Sequence, residues 1–226
     1  MTQSPVGSAI LRTIENLHGP AGRLEALLNS GAPDAPYAVL VCHPHPLGGG
    51  TMHNKVVYHA MKAFHSFGLP VLRFNFRGTE LSEGEHDNGV GEQDDVRAAL
   101  DWLDREFDLP ILFAGFSFGS YVGLRACCGD PRVVGLVALG IPAHAEGRDY
   151  DYEFLRTCPQ PKLFVSGDHD EYGPVAEVEA VVAQAREPKE LVWISGADHF
   201  FASKLEDVRQ AIRAWLPRWF PLLSSQ

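Results

Sequence analysis

Three short stretches hold residue types able to do nucleophilic chemistry: Gly115-Phe116-Ser117-Phe118-Gly119, Gly167-Asp168-His169-Asp170-Glu171 and Gly196-Ala197-Asp198-His199. A serine hydroxyl is a weak nucleophile until a neighbouring base takes its proton, and the base needs an acid to orient it. Glycines two residues either side of Ser117 suit a sharp strand-to-helix turn that lifts a hydroxyl above a sheet. They would equally suit a turn that needs only small residues, so the five-residue motif decides nothing alone. In a chain of ten histidines, only His199 lies beyond Asp170. Gly196 and Ala197 let it stand at the tip of a loop, where it is the expected base. The competing reading is a loop histidine packed against Phe200 and Phe201. For the acid, Asp168, Asp170 and Glu171 compete. Asp170 reaches further over the strand end and is the choice; Asp168, tight against the strand, is its main rival. Asp198, adjacent to the base, is read as a loop hydrogen-bonder.

Such chemistry also needs two N–H groups around the carbonyl oxygen as it becomes negative. The residue after the serine, Phe118, supplies one at the start of the following helix. The other is expected from His43-Pro44-His45-Pro46-Leu47-Gly48-Gly49-Gly50. Pro44 and Pro46 have no N–H, which leaves His45, Leu47 and the glycines; Leu47, just before the three glycines, is the expected donor. His43 and His45 are read as braces of a rigid loop. A zinc site built on this histidine pair is the minor alternative, since no third ligand follows at short spacing. No metal and no cofactor is expected.

These loops need a scaffold that brings them to one place. Tyr37–Cys42, Val71–Phe76, Ile111–Gly115, Val133–Ile141, Leu163–Ser166 and Leu191–Ser195 are apolar runs expected to form strands. Most are too continuously apolar for a half-exposed sheet, which implies strands covered on both faces. Between them Val57, Met61 and Phe64 mark one helical face, as do Val96, Leu100, Leu103 and Phe107, and Leu205, Val208, Ile212, Trp215 and Trp219. The alternation predicts a doubly wound, mostly parallel α/β sheet with helices on both faces. An antiparallel hairpin over Ile10 to Leu28 precedes it, and residues 1–226 form one domain. Every stretch named above then falls at the carboxyl edge of the strands, where ligands gather in such sheets.

With 226 residues, 45% hydrophobic, the chain can bury one substantial core. A formal charge of −10 argues against nucleic-acid or anionic-membrane partners, which demand a basic face. No apolar run approaches the roughly 18 residues of a membrane span, and no secretory signal is visible. The four cysteines, Cys42, Cys127, Cys128 and Cys158, show no C-x-x-C spacing. They are expected to be reduced thiols of a cytoplasmic protein. The oligomeric state is not legible.

The strings HPHPLGGGTMHNKV, LRFNFRG, GFSFG, GDHDEYGP and GADHFF, between Val39 and Trp215, resemble small bacterial α/β-hydrolases without a cap domain, related to the dienelactone-hydrolase-like branch. The resemblance implies an α/β-hydrolase fold with a triad of Ser117, Asp170 and His199. Dienelactone hydrolases proper carry cysteine in the elbow, so lactone chemistry does not carry over to this serine. The loop RGTELSEGE also departs from the pattern, with Glu80 where a second glycine is usual. A cap in this fold is usually inserted after the sixth main strand, where only Ala143 to Pro159 is available here. The implied site is an open, shallow cleft lined by Leu47, Phe118, Phe200, Tyr150 and Phe154, suited to small acyl groups. The implied activity is hydrolysis of small-molecule carboxylic esters through an acyl-enzyme. A thioesterase or peptidase with the same triad is the alternative, and a non-catalytic binding member of the fold is a remoter one.

Overall fold

The computed structural model describes residues 10–145 and 148–224. The chain starts with four short strands, β1 (Leu11–Ile14), β2 (His18–Gly19), β3 (Gly22–Arg23) and β4 (Ala26–Asn29). β1 pairs antiparallel with β4 and β2 with β3, which is the expected hairpin. There follow β5 (Ala38–Cys42), α1 (Lys55–His65), β6 (Val71–Phe74), α2 (Gly91–Phe107), β7 (Ile111–Phe116) and α3 (Phe118–Cys127). The remainder is β8 (Val133–Leu139), the small pair β9 (His144–Ala145) and β10 (Arg148–Asp149), β11 (Lys162–Gly167), α4 (Val175–Gln184), β12 (Lys189–Ile194) and α5 (Leu205–Trp219).

Eight strands form one sheet in the order β1-β4-β6-β5-β7-β8-β11-β12. Only the β1–β4 and β4–β6 pairings are antiparallel; the rest are parallel. The all-apolar strings AVLVC of β5 and ILFAGF of β7 are fully buried, as a two-sided sheet requires. One apolar layer packs α2, α3 and α4 on one face of the sheet, and a second packs α1 and α5 on the other. β12 is an edge strand and mostly half-buried, so the expectation of full cover fails there.

Chain order reverses at β5: the connection through α1 leads to β6 on one side, and α2 crosses back to β7 on the other. The crevice above the carboxyl ends of β5 and β7 is therefore the switch point of the sheet. α1 starts there, its first turn capped by the Asn54 side chain, which accepts the Val56 N–H at 2.8 Å.

Between Ala143 and Pro159, where a cap could stand, the described residues hold only the β9–β10 pair and a 3₁₀ turn at Glu153–Arg156. α4 has no counterpart among the expected helices. Its string VAEVEAVVAQ buries only Val178 and Val182, a stripe too narrow to stand out. The cysteines also differ from expectation. Cys128, just past α3, and Cys158, just past the 3₁₀ turn, are joined in a disulfide, while Cys42 and Cys127 are free and buried. The two partners are 30 positions apart and meet only because the turn folds back on α3.

Candidate active site

Ser117 sits between β7 and α3 with φ 54° and ψ −124°, a positive-φ conformation unusual for a residue with a Cβ. The flanking glycines are sterically required. A Cβ on Gly115 would meet the Gly119 carbonyl at 2.5 Å, and one on Gly119 would meet the His43 carbonyl at 2.2 Å. The turn is thus pressed against the end of β5, and packing and presentation of the hydroxyl are one arrangement.

His199 Nε2 lies 2.9 Å from Ser117 Oγ, and His199 Nδ1 lies 2.8 Å from Asp170 Oδ2 and 3.0 Å from Asp170 Oδ1. With Nδ1–H donating to the carboxylate, Nε2 is left as the acceptor for the serine proton. The imidazole is buried, with Phe116, Tyr172 and Phe200 packed around it. Asp170 is equally buried, and its Oδ1 also accepts the N–H groups of Tyr172 and Gly173 at 2.8 and 3.0 Å. Asp168 serves the backbone instead. Its Oδ1 accepts the Gly196 N–H at 2.6 Å, tying the β11 loop to the His199 loop. Asp198 accepts the Ala202 N–H at 2.9 Å within its own loop.

The histidines after β5 are both engaged. His43 is fully buried; its Nε2 accepts the Phe76 N–H at 2.9 Å, and Nδ1 donates to the Pro44 carbonyl at 2.7 Å. Burial lowers its pKa to about 3. His45 Nδ1 accepts the Leu47 N–H at 3.1 Å, and burial lowers this imidazole to about 4, helped by the nearby charge of Arg148. Leu47 itself is exposed at the mouth, and its N–H is spent on that bond. Among the described residues, the N–H groups of His45 and Phe118 donate to no acceptor. His45 is among the donors that the two prolines leave available, but in the sequence Leu47 is preferred to it for its place before the glycines.

A cleft of about 270 Å³ opens over Ser117 and His199, with Leu47, Tyr150 and Phe200 in its wall. Two expected lining residues are elsewhere. The Phe118 ring is buried beneath, against His45, Phe76 and His86. Phe154 is turned by the 3₁₀ element onto α3, with the Arg125 guanidinium 5.1 Å over its ring. Tyr172, Arg148 and Asn54 line the cleft without having been expected. Tyr172 had a usable signal in its place two residues after Asp170. In the departing loop Glu80 takes φ 50°, the conformation a glycine there would adopt without strain. No group of three metal-ligating side chains is found among the described residues. No helix among them is long and apolar enough to cross a membrane.

The alpha/beta hydrolase domain family matches residues 37–214 of this chain. An uncharacterised protein of Rickettsia prowazekii is 39% identical over 207 residues, spanning 88% of this chain and 86% of its own. Among solved structures, an α/β serine hydrolase homologue from Coxiella burnetii is 37% identical, with a TM-score of 0.80 over 94% of this chain and 99% of that one. A Xanthomonas campestris protein described as an α/β serine hydrolase without lid is 35% identical, with a TM-score of 0.82 over 95% of this chain and 96% of that one.

Proposed function

The chain belongs to the alpha/beta hydrolase domain family, and from that premise we propose that it is a serine esterase cleaving small carboxylic esters through an acyl-enzyme, with 1–226 as one domain. The observation that carries the reading is the unbroken series Ser117 Oγ, His199 and Asp170 at 2.9 and 2.8 Å. In the first half-reaction His199 Nε2 takes the Ser117 proton as Oγ attacks the ester carbonyl carbon. The C–O bond to the alcohol then breaks, and the alcohol leaves with the proton from His199. In the second half a water, deprotonated by His199, attacks the acyl carbon and releases the acid and Ser117. Asp170 stays a carboxylate throughout and stabilises the imidazolium.

The oxyanion is assigned to the N–H groups of Phe118 and His45. Leu47 is set aside because its N–H already serves the His45 ring. That ring bond holds the loop so that its backbone is preorganised rather than free to reorient. The size of the cleft supports small acyl groups.

A fluorophosphonate probe tests the reading directly. The folded protein should be labelled at Ser117 and turn over short-chain para-nitrophenyl esters, and Ser117→Ala should abolish both. Folded protein that takes no label would favour a non-catalytic member of the fold.

A further inference from the structure

The wall of the cleft carries one feature that ester hydrolysis does not use. Arg148, on the β9–β10 pair, lines the same cleft as Ser117 and His199. The pair is fixed in place: the N–H groups of Ala143 and His144 both donate to the Tyr172 carbonyl at 2.9 Å, on the loop that follows Asp170. The backbone of β9, the strand that β10 pairs with, is therefore held against the segment that orients the base. The chain carries 29 Asp and Glu residues, yet among the described residues none lines this cleft. A net charge of −10 repels small anions from the surface. Placing a permanent cation in a wall that holds no carboxylate among the described residues reverses that bias at the place where substrate would sit. His45 adds no positive charge of its own, since it stays neutral beside Arg148. Tyr150 and Asn54, also in the wall, add neutral donors suited to the same kind of group.

We propose that Arg148 makes this cleft selective for esters that carry a carboxylate, on the acyl or the alcohol portion, away from the scissile bond. The inference rests on the esterase reading and narrows its substrate class. A planar guanidinium takes such a carboxylate through two parallel N–H bonds, a geometry that lysine cannot supply. Because Arg148 is exposed to solvent, the contact orients and retains the substrate and weakens with salt.

The test uses matched pairs, the para-nitrophenyl hemiester of succinate against para-nitrophenyl butyrate, and para-acetoxybenzoate against phenyl acetate. In at least one pair, the charged ester should have the higher kcat/KM at low salt, corrected for intrinsic reactivity by alkaline hydrolysis rates. Arg148→Gln should lower kcat/KM for that ester by roughly tenfold, mainly through KM, and leave its neutral counterpart unchanged. Arg148→Lys should retain part of the preference. Neutral-ester turnover also reports that each variant is folded. If the wild type prefers neither charged ester, or Arg148→Gln slows charged and neutral esters alike, the inference is overturned while the esterase reading stands. If no ester shows Ser117-dependent turnover, the esterase reading itself fails and this inference with it.

Discussion

His199 Nδ1 faces Asp170 at 2.8 Å, while Asp168, two residues earlier, is occupied 2.6 Å from the Gly196 N–H. Two carboxylates on one loop therefore have separable roles. Asp170→Asn keeps the shape but removes the charge that stabilises the imidazolium and fixes its tautomer. Turnover should fall by up to about 10⁴, the loss known for this replacement in serine proteases, with little change in Tm. Asp168→Asn should cost on the order of 1 kcal/mol of stability and leave turnover nearly intact. Steady-state kinetics and thermal melts on both variants decide it; exchanged profiles would make Asp168 the acid.

Ser117→Ala and His199→Ala should each remove most ester hydrolysis. Groups that act as a unit are not additive, so the double variant should be little worse than either single one. Near-normal turnover by His199→Ala would sink the assignment. Far-ultraviolet circular dichroism should show the fold retained in all three.

The φ of 54° at Ser117 stores backbone strain of about 1 kcal/mol or more, which persists in Ser117→Ala because alanine keeps the Cβ. Glycine relieves it. Ser117→Gly should unfold at higher urea than Ser117→Ala by roughly 1 kcal/mol, although neither is active. Equal midpoints would show that the elbow is unstrained.

His43 gives the stability a pH dependence. In the folded protein the ring stays neutral down to about pH 3, whereas the unfolded chain binds this proton near 6.5. Below pH 6.5 the unfolded state holds more protons. The stability is thus fully present above 6.5 and is lost between 6.5 and 3, at about 1.4 kcal/mol per pH unit for this one group. Urea midpoints across that window should fall with pH, and His43→Gln should flatten the slope by about one proton. A slope unchanged in the variant would remove His43 as its source.

Much of this molecule was readable from local patterns. Continuously apolar runs of strand length located the parallel strands, because a strand covered on both faces has no polar side to show. Ser117 and His199 stood out through glycines at fixed offsets and through position in the chain. What escaped depended on pairings between distant segments. The Cys128–Cys158 bond, the turning of Phe154 onto Arg125 and the presence of Arg148 in the cleft all follow from how the segment 143–159 folds back, which no periodicity encodes. The Leu47 N–H, the expected second donor, is turned to a ring two residues away, a pairing that no spacing announces.

The serine and its base are 82 positions apart, and the base is delivered by the loop after the final strand. The elbow is built from β5, β7, α3 and β8, whose Leu139 carbonyl accepts the Ser117 N–H at 2.9 Å, and all of these precede β12 in the chain. Only when β12 adds to the sheet edge, and α5 closes over α1, is the proton acceptor set beside it. On the proposed mechanism, a half-made polypeptide would display a hydroxyl without its base, and the onset of turnover would mark the completion of folding.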